Sequence, residues 1–172
     1  MTCPSIVRIA TPQDHQEIWR MFLQGHRENG GFTLDPRKVD WFIQRAIFPE
    51  RIADWDTGVR GTIGVIGPVG ALEGIVFVTI AQFWYSNEHH LEEFIVYVDP
   101  ECRKSGHAKE LINWMKRQSD LTGLKLLTGI MSNERTEAKC RLYGRLLPKW
   151  GEFFLYSGNG KGSVMTSSAA FA

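Results

Sequence analysis

Two neighbouring segments near the middle of the chain carry residue types that can do chemistry. The first is an acidic run that also contains histidine, and its members are Glu88, His89, His90, Glu92 and Glu93. Carboxylate and imidazole groups are frequent general bases, because burial and nearby charges shift their pKa values toward neutrality. The second segment, residues 103–108, is basic and contains one glycine (Arg-Lys-Ser-Gly-His-Ala). The two segments therefore offer candidate groups for proton transfer and for anion binding.

The basic turn follows a strand that ends Val-Asp-Pro and opens a predicted helix. A helix N-terminus presents unpaired N–H groups and about half a positive charge, which makes it an anion site. Gly106 lets the backbone approach an anion because it has no Cβ atom, and Arg103 and Lys104 can add charge toward a diphosphate. A strand that leads into a helix is nevertheless common in α/β proteins, so these features alone leave anion binding open.

The elements that must position these residues follow from hydrophobic periodicity and turn residues. Strands are predicted at residues 5–10, 62–66, 72–83, 91–98, 124–131 and 150–156, and helices at residues 11–29, 35–49, 105–122 and 136–147. This order predicts a mixed α/β (α+β) fold with helices on both faces of one sheet. Residues 1–156 form the predicted domain, and the Gly-, Ser- and Ala-rich residues 157–172 form a predicted flexible tail.

The composition is that of one ordinary globular domain, with 43% hydrophobic and 23% charged residues. The net charge of +1 provides no general attraction to nucleic acid or to an anionic membrane, so neither is an expected partner. Three widely spaced cysteines favour a reducing compartment, and no apolar stretch approaches the roughly 20 residues of a membrane span. We therefore expect a soluble, cytoplasmic protein. No metal site is expected, because His89-His90 has no second ligand pair at metal spacing.

The run Val98-Asp-Pro-Glu-Cys-Arg-Lys-Ser-Gly-His-Ala resembles the cofactor loop of the GNAT family of N-acetyltransferases. That loop has the pattern Arg/Gln-x-x-Gly-x-Gly/Ala after a strand ending Val-x-Pro. Arg103, Gly106 and Ala108 match the loop, and Val98 and Pro100 match the strand end. The element order of residues 5–156 is also similar. The resemblance implies a mostly antiparallel sheet and transfer of an acetyl group from acetyl-CoA, or a related acyl-CoA, to a primary amine in a ternary complex.

The resemblance also implies which residues hold the cofactor. The pyrophosphate would lie on the loop formed by Arg103, Lys104, Ser105, Gly106, His107 and Ala108. The pantetheine arm would pair with the backbone of Val96, Tyr97 and Val98, and residues 126–131 would diverge to leave a slot for the thioester. Asn133 is the candidate for the asparagine that contacts the pantetheine in the family, although it lies ten residues ahead of Tyr143.

Acyl transfer to an amine requires a base, because a lysine-like ammonium has a pKa near 10.4. The order of preference is Glu93, Glu92 and then His90. In the family this strand commonly carries a bulge, so alternation cannot choose between the two glutamates. Tyr143, in the run Leu142-Tyr-Gly-Arg-Leu146, matches the family's acid, which protonates the thiolate or anchors the cofactor sulfur. Each assignment has a structural alternative. The candidate bases can be solvated residues at the start of the strand, and Tyr143 can be a packing residue of an amphipathic helix.

The acceptor is expected to be an amine of a small molecule or a protein, and the clustered carboxylates favour a cationic one. A different class of function remains open, namely a catalytically inactive acyl-CoA-binding sensor or a protein-interaction module. The sequence leaves a homodimer open and does not determine the oligomeric state.

Overall fold

The computed structural model describes residues 7–29, 32–48, 60–131 and 135–151. The strands are β1 (Arg8–Ile9), β2 (Arg60–Ile66), β3 (Gly74–Gln82), β4 (His89–Val98) and β5 (Lys125–Leu127). The helices are α1 (His15–Asn29), α2 (Pro36–Ile47), α3 (His107–Thr122) and α4 (Thr136–Leu146). Asn133, most of the predicted last strand and the predicted tail lie outside the described residues.

The five strands form one sheet in the order β1-β2-β3-β4-β5. All neighbours are antiparallel except β4 and β5, which are parallel. Helices cover both faces, so the predicted mixed, mostly antiparallel architecture is confirmed. Within the described ranges no helix combines the length and the apolarity that crossing a membrane requires.

Two hydrophobic clusters lie on opposite faces of this sheet. On the α1/α2 face, residues of the two helices such as Met21 and Ile43 pack against Phe77, Ile95 and Tyr97. On the α3/α4 face, residues of α3 pack against a second set of strand side chains, and α4 lies at the edge of that cluster; the cluster includes Val76, Val78, Val98, Leu111, Ile112 and Met115. Side chains alternate between the two faces along each strand, which is why β3, buried on both faces over most of its length, is mostly apolar.

A buried ion pair joins the first strand to the turn that starts α1. Two nitrogens of the Arg8 guanidinium donate to the Asp14 carboxylate at 2.7 and 2.8 Å, and the Thr11 backbone N–H donates to the same carboxylate at 2.8 Å. Asp14 is fully buried. The Arg8 hydrogen bonds are the main cause that lowers the pKa of Asp14, against the effect of burial.

Replacing Asp14 with Asn is expected to lower the free energy of unfolding at neutral pH by about 2 kcal/mol, because the change weakens the hydrogen bonds that the partly exposed Arg8 guanidinium makes to the buried carboxylate. A lowered carboxylate pKa stabilises the fold above the ordinary aspartate range and ceases to do so as the pH falls through the folded-state pKa. Urea denaturation at several pH values checks both points. The exposed Asp120→Asn is the control, and equal losses in the two variants would contradict the prediction.

Candidate active site

The loop at residues 103–108 leaves several backbone donors open at the start of α3. Gly106 precedes the helix with a left-handed φ of 88°. In the described part of the chain, the N–H groups of Lys104, Gly106 and Ala108 donate no hydrogen bond, whereas the N–H of His107 donates to Ser105 Oγ at 3.3 Å. A Cβ atom built on Gly106 meets no atom within 4 Å, so the space in front of the loop is open. Three N–H groups without a partner, around an open position at Gly106 before a helix, fit a pyrophosphate.

The loop is held in place from behind. The Cys102 N–H donates to the Asp99 carbonyl at 2.9 Å, and the Ser105 N–H donates to the Cys102 carbonyl at 3.1 Å. The His107 ring is buried and its Nε2 lies 2.5 Å from a carboxylate oxygen of Glu73, in the turn before β3. This contact ties the start of α3 to the sheet. His107 therefore contributes its ring to anchoring the loop, and not to the space in front of it.

The Arg103 side chain is engaged within the protein. Its guanidinium forms an ion pair with Glu28 at the end of α1, and its Nε donates to the Val98 carbonyl at 3.2 Å. The guanidinium also lies over the Tyr97 ring, 5.6 Å from its centroid. The sequence predicted that Arg103 could supply charge to a diphosphate, but in this structure Glu28 already neutralises that charge. Lys104 remains exposed and is the loop cation available to an anion.

The fold also assembles three donor types that no sequence spacing indicated. Donor atoms of Glu73, Cys102 and His107 lie within 4.8 Å of one another, although we expected no metal site from the sequence.

Burial, followed by the negative charges of Glu73, Asp99 and Glu101, raises the pKa of the Cys102 thiol. A thiol with a raised pKa stays protonated and is a poor nucleophile. Cys102 is therefore unsuited to a covalent acyl-enzyme step.

The pairing between β4 and β5 ends well before the end of β4. Their pairing is limited to His90–Glu92 against Lys125–Leu127, while β4 continues to Val98. On this side, residues Glu93 to Val98 have no strand partner among the described residues. We call the space beside them the β4–β5 gap. Arg103 Nε already donates to the Val98 carbonyl, but the other backbone groups on this side of residues 96–98 can bond an extended ligand, as a sheet edge does. The predicted pantetheine strand thus has a partly free edge.

A bulge in β4 decides which acidic side chain faces which side of the sheet. Phe77 pairs with Ile95 and Val78 pairs with Glu93, so Phe94 is the extra residue. Because directly paired residues share a face, Glu93 lies with Val78 on the α3/α4 face. Phe94 contacts Phe77 on the opposite face, with ring centroids 5.3 Å apart. The bulge therefore decides between Glu92 and Glu93, which simple alternation along the strand could not do.

Glu93 meets Tyr143 of α4 on that face. The Tyr143 hydroxyl donates a hydrogen bond to Glu93 Oε2 at 3.0 Å. Burial raises the pKa of Glu93 to about 7, against the lowering effects of the Tyr143 hydrogen bond and the Lys139 charge. Burial and the neighbouring Glu93 raise the pKa of Tyr143 well above its ordinary value. The pair therefore combines a carboxyl that can exchange a proton near neutrality with a phenol that stays protonated.

The other candidate bases lie elsewhere. Glu92 pairs with Thr79 and His90 pairs with Ala81, which places both on the α1/α2 face. His90 is buried and stacks on the Phe83 ring at a centroid distance of 4.7 Å. Glu88 is exposed and forms an ion pair with Lys125 at 2.8 Å. The acidic residues that cluster in the sequence are thus dispersed, and Glu93 alone among them contacts the predicted acid.

Sequence reasoning missed a lysine beside this pair. Lys139 precedes Tyr143 by one helical turn, and its Nζ donates to Asn29 Oδ1 of α1 at 3.3 Å. Burial lowers the pKa of Lys139, opposed mainly by the Glu28 charge and assisted by the charges of Arg103 and Arg135. The i, i+4 spacing to Tyr143 is the signal that could have identified it.

A cavity of about 320 Å³ lies on the α1/α2 face, next to the bulge. Its walls are largely aromatic and aliphatic, and include Phe22, Phe32, Leu34, Val39, Phe42 and Phe94. Phe94 is 41% exposed and packs edge-on against Phe42 at 5.3 Å. A second cavity of about 410 Å³, lined by residues such as Pro12 and Phe48, includes none of the residues of the bulge or the loop.

A coenzyme-A-dependent acyltransferase would need open amides for the pyrophosphate, a strand edge for the pantetheine and a proton-transfer pair, and the described residues include a candidate for each. The profile of the Acetyltransferase (GNAT) family matches residues 40–147, which is more than half of the chain. The chain therefore belongs to this family, as its loop sequence indicated. GNAT acetyltransferases use acetyl-CoA, so the protein is an acyltransferase with acetyl-CoA as its cofactor.

Solved structures share this fold at low sequence identity. A predicted acetyltransferase with acetyl-CoA from Clostridium acetobutylicum is 13% identical, covers 88% of this chain and 94% of its own, and has a TM-score of 0.62. A ribosomal-protein-alanine N-acetyltransferase from Brucella melitensis biovar Abortus 2308 is 15% identical, with coverages of 88% and 98% and a TM-score of 0.59. An aminoglycoside acetyltransferase, meta-AAC0020, from an uncultured soil metagenomic sample in complex with sisomicin is 11% identical, with coverages of 90% and 95% and a TM-score of 0.60. None of the curated proteins compared has a matching sequence.

Proposed function

We propose that the protein transfers an acetyl group from acetyl-CoA to a primary amine, directly and in a ternary complex. The observation that carries this proposal is the hydrogen bond between Tyr143 and Glu93, a carboxyl whose pKa is about 7, at the start of the β4–β5 gap. The raised pKa of the Cys102 thiol supports direct transfer without a covalent enzyme intermediate.

The protein residues supply binding and proton transfer, and acetyl-CoA when bound supplies the thioester carbonyl. The amides of residues 103–108 and the edge of Val96–Val98 hold the cofactor, while Arg103 positions the loop through Glu28. Glu93 accepts a proton from the amine. Tyr143 donates its hydroxyl proton toward the sulfur and recovers one from Glu93, to which it is already hydrogen-bonded. The cofactor assignments of Ser105, Asn133 and the other loop residues remain part of this proposal.

The acceptor proposed here is an amine attached to an apolar group. The cavity beside Phe94 is lined mainly by aromatic and aliphatic side chains, and the carboxylates that suggested a polycation are dispersed. An amine whose apolar part lies against Phe94 can extend past the free edge of β4 toward Glu93, the preceding residue. Of the two relatives named above for their acceptors, one acts on a ribosomal protein and the other binds an aminoglycoside. The apolar walls favour a peptide-like amine over a polyamine or an aminoglycoside.

Replacing Phe94 with Ala is expected to raise KM for amines that carry an aromatic or branched aliphatic group by about tenfold, because the variant loses apolar surface against the acceptor. Initial rates with phenylalanine amide and with spermidine measure the effect, and the spermidine KM should change much less. Trp84→Ala is the control, since that side chain is 96% exposed and lies outside the cavity. An equal effect on both amines would place the acceptor elsewhere.

The function itself is tested by incubating the protein with acetyl-CoA and a panel of peptide, polyamine and aminoglycoside amines while free thiol is measured. Thiol release that depends on an amine supports transfer. Binding of acetyl-CoA without thiol release on any amine would favour the sensor alternative, and no binding at all would favour a protein-interaction module. Tyr143→Phe should slow transfer if the hydroxyl moves a proton and should leave a sensor unchanged.

A further inference from the structure

Lys139 faces the same part of the molecule as the proton-transfer pair. Residues four apart in a helix lie on one face, one turn from each other. Tyr143 reaches Glu93 from α4, so Lys139 extends from the same face of the helix one turn nearer its N-terminus. The Lys139 charge lowers the pKa of Glu93, and the Glu93 charge acts to raise the pKa of Lys139.

The Lys139 side chain also reaches from α4 to the end of α1. Its Nζ donates to Asn29 Oδ1 at 3.3 Å, yet α4 packs on the α3/α4 face and α1 packs on the opposite face. A contact between helices on opposite faces must pass the edge of the sheet, and β5 ends at Leu127. The Lys139 amine therefore lies at the end of α1, on a side chain one helical turn from Tyr143 of the proposed proton-transfer pair.

We propose that Lys139 is a self-acetylation site, at which the protein transfers the acetyl group of its bound acetyl-CoA to the Nζ of its own lysine. This inference rests on the proposed function, because it uses the same cofactor, base and acid. The half-buried position of Lys139 favours its neutral form, and its lowered pKa is consistent with that. A neutral amine is the nucleophilic form.

The transfer balances with groups that are already present. The Lys139 ammonium loses one proton to solvent, and its nitrogen lone pair forms an amide bond with the acetyl carbonyl carbon. The carbon–sulfur bond of the thioester breaks, and its electron pair leaves with the sulfur. The second nitrogen proton passes to Glu93, and the sulfur receives a proton from Tyr143, which recovers one from Glu93. The products are Nε-acetyl-Lys139 and free coenzyme A.

The test uses the full-length protein with acetyl-CoA and no added amine. Peptide mass spectrometry should show acetylation of Lys139 at least tenfold faster than that of Lys125, an exposed lysine on β5. The rate per molecule should not depend on protein concentration, since transfer occurs within one chain. Lys139→Arg should abolish this product, Lys125→Arg should leave it unchanged, and Glu93→Gln should slow it.

A readout that needs no cofactor turnover comes from isotope-labelled dimethyl-lysine NMR of the protein alone and with coenzyme A. The Lys139 signal should titrate at lower pH than the Lys125 signal, and it should shift when coenzyme A binds. The inference would be overturned if acetylation were spread equally over exposed lysines, or if the Lys139 signal did not shift when coenzyme A binds. Amine-dependent thiol release without Lys139 acetylation would reject self-acetylation alone, whereas absence of acetyl-CoA binding would reject the proposed function as well.

Discussion

Replacing Glu93 with Gln is expected to lower kcat/KM for amine acetylation by about 100- to 10,000-fold, the range that a positioned general base contributes. Gln has the same shape and keeps an oxygen that accepts the Tyr143 hydroxyl proton, so the hydrogen bond at 3.0 Å can persist. What the variant loses is a group that accepts a proton. Steady-state measurement of thiol release against amine concentration gives the ratio.

The pH profile separates loss of a base from a general loss of structure. Only the ionised Glu93 can accept a proton, so activity of the native protein should rise with pH and level off above about 7, the pKa of this carboxyl. Below that pH we expect kcat/KM to fall about tenfold for each pH unit. The residual activity of Glu93→Gln should not show this fall in kcat/KM at low pH.

The Glu93→Gln substitution should raise the free energy of unfolding although it lowers activity. The folded-state pKa of Glu93 is raised above its ordinary value of 4.5, so the ionised carboxyl destabilises the fold increasingly as the pH rises from that value to about 7. Glu93→Gln should therefore unfold at a higher urea concentration than the native protein at neutral and alkaline pH. A gain in stability together with a loss of activity is expected where a buried charge serves function.

Glu92→Gln is the matched control, because the same chemical change one residue away lies on the other face of the sheet. It should retain most of the activity and the pH profile. A larger loss in Glu92→Gln than in Glu93→Gln would assign the base to the α1/α2 face. Equal activity in both variants would remove the carboxylates from the mechanism and direct attention to His90 or a water molecule.

Replacing Gly106 with Ala is expected to weaken coenzyme A binding by about 10- to 100-fold, through two effects that act together. A left-handed φ of 88° costs a residue with a side chain about 1–2 kcal/mol, so the loop tends to leave the conformation that presents its amides. The new methyl group also enters the open space before the loop, which the phosphates are proposed to occupy. Isothermal titration with coenzyme A measures the change in Kd.

Gly123→Ala provides a control for backbone strain. Gly123 caps the other end of α3 with a φ of 70°, and a Cβ atom there also meets no atom within 4 Å. Both variants should lose similar free energy of unfolding, but only Gly106→Ala should lose coenzyme A affinity. Equal affinities in the two variants would mean that the phosphates bind away from this loop.

Much of the architecture was predictable because its signals are local. Residues only a few positions apart determine where a helix begins, where the chain turns and which face of an element is apolar. Thr11-Pro12 and Asp35-Pro36, for instance, mark the beginnings of two helical segments. The Asp35 carboxylate, for example, accepts the Arg37 N–H at 2.9 Å, as an N-cap does. The candidate cofactor loop was recognisable for the same reason, since Arg103, Gly106 and Ala108 lie within six residues of each other.

The chemical assignments inside the site depended on contacts that local patterns do not encode. The sequence determined the order of elements, the anion loop and the set of candidate acids and bases, because short-range sterics and capping govern these. Only the tertiary structure placed Glu93 against Tyr143, paired Arg103 with Glu28 and extended Lys139 toward α1. These pairs are 50, 75 and 110 residues apart in the chain, and one extra residue in β4 was enough to reverse the face of every side chain before it.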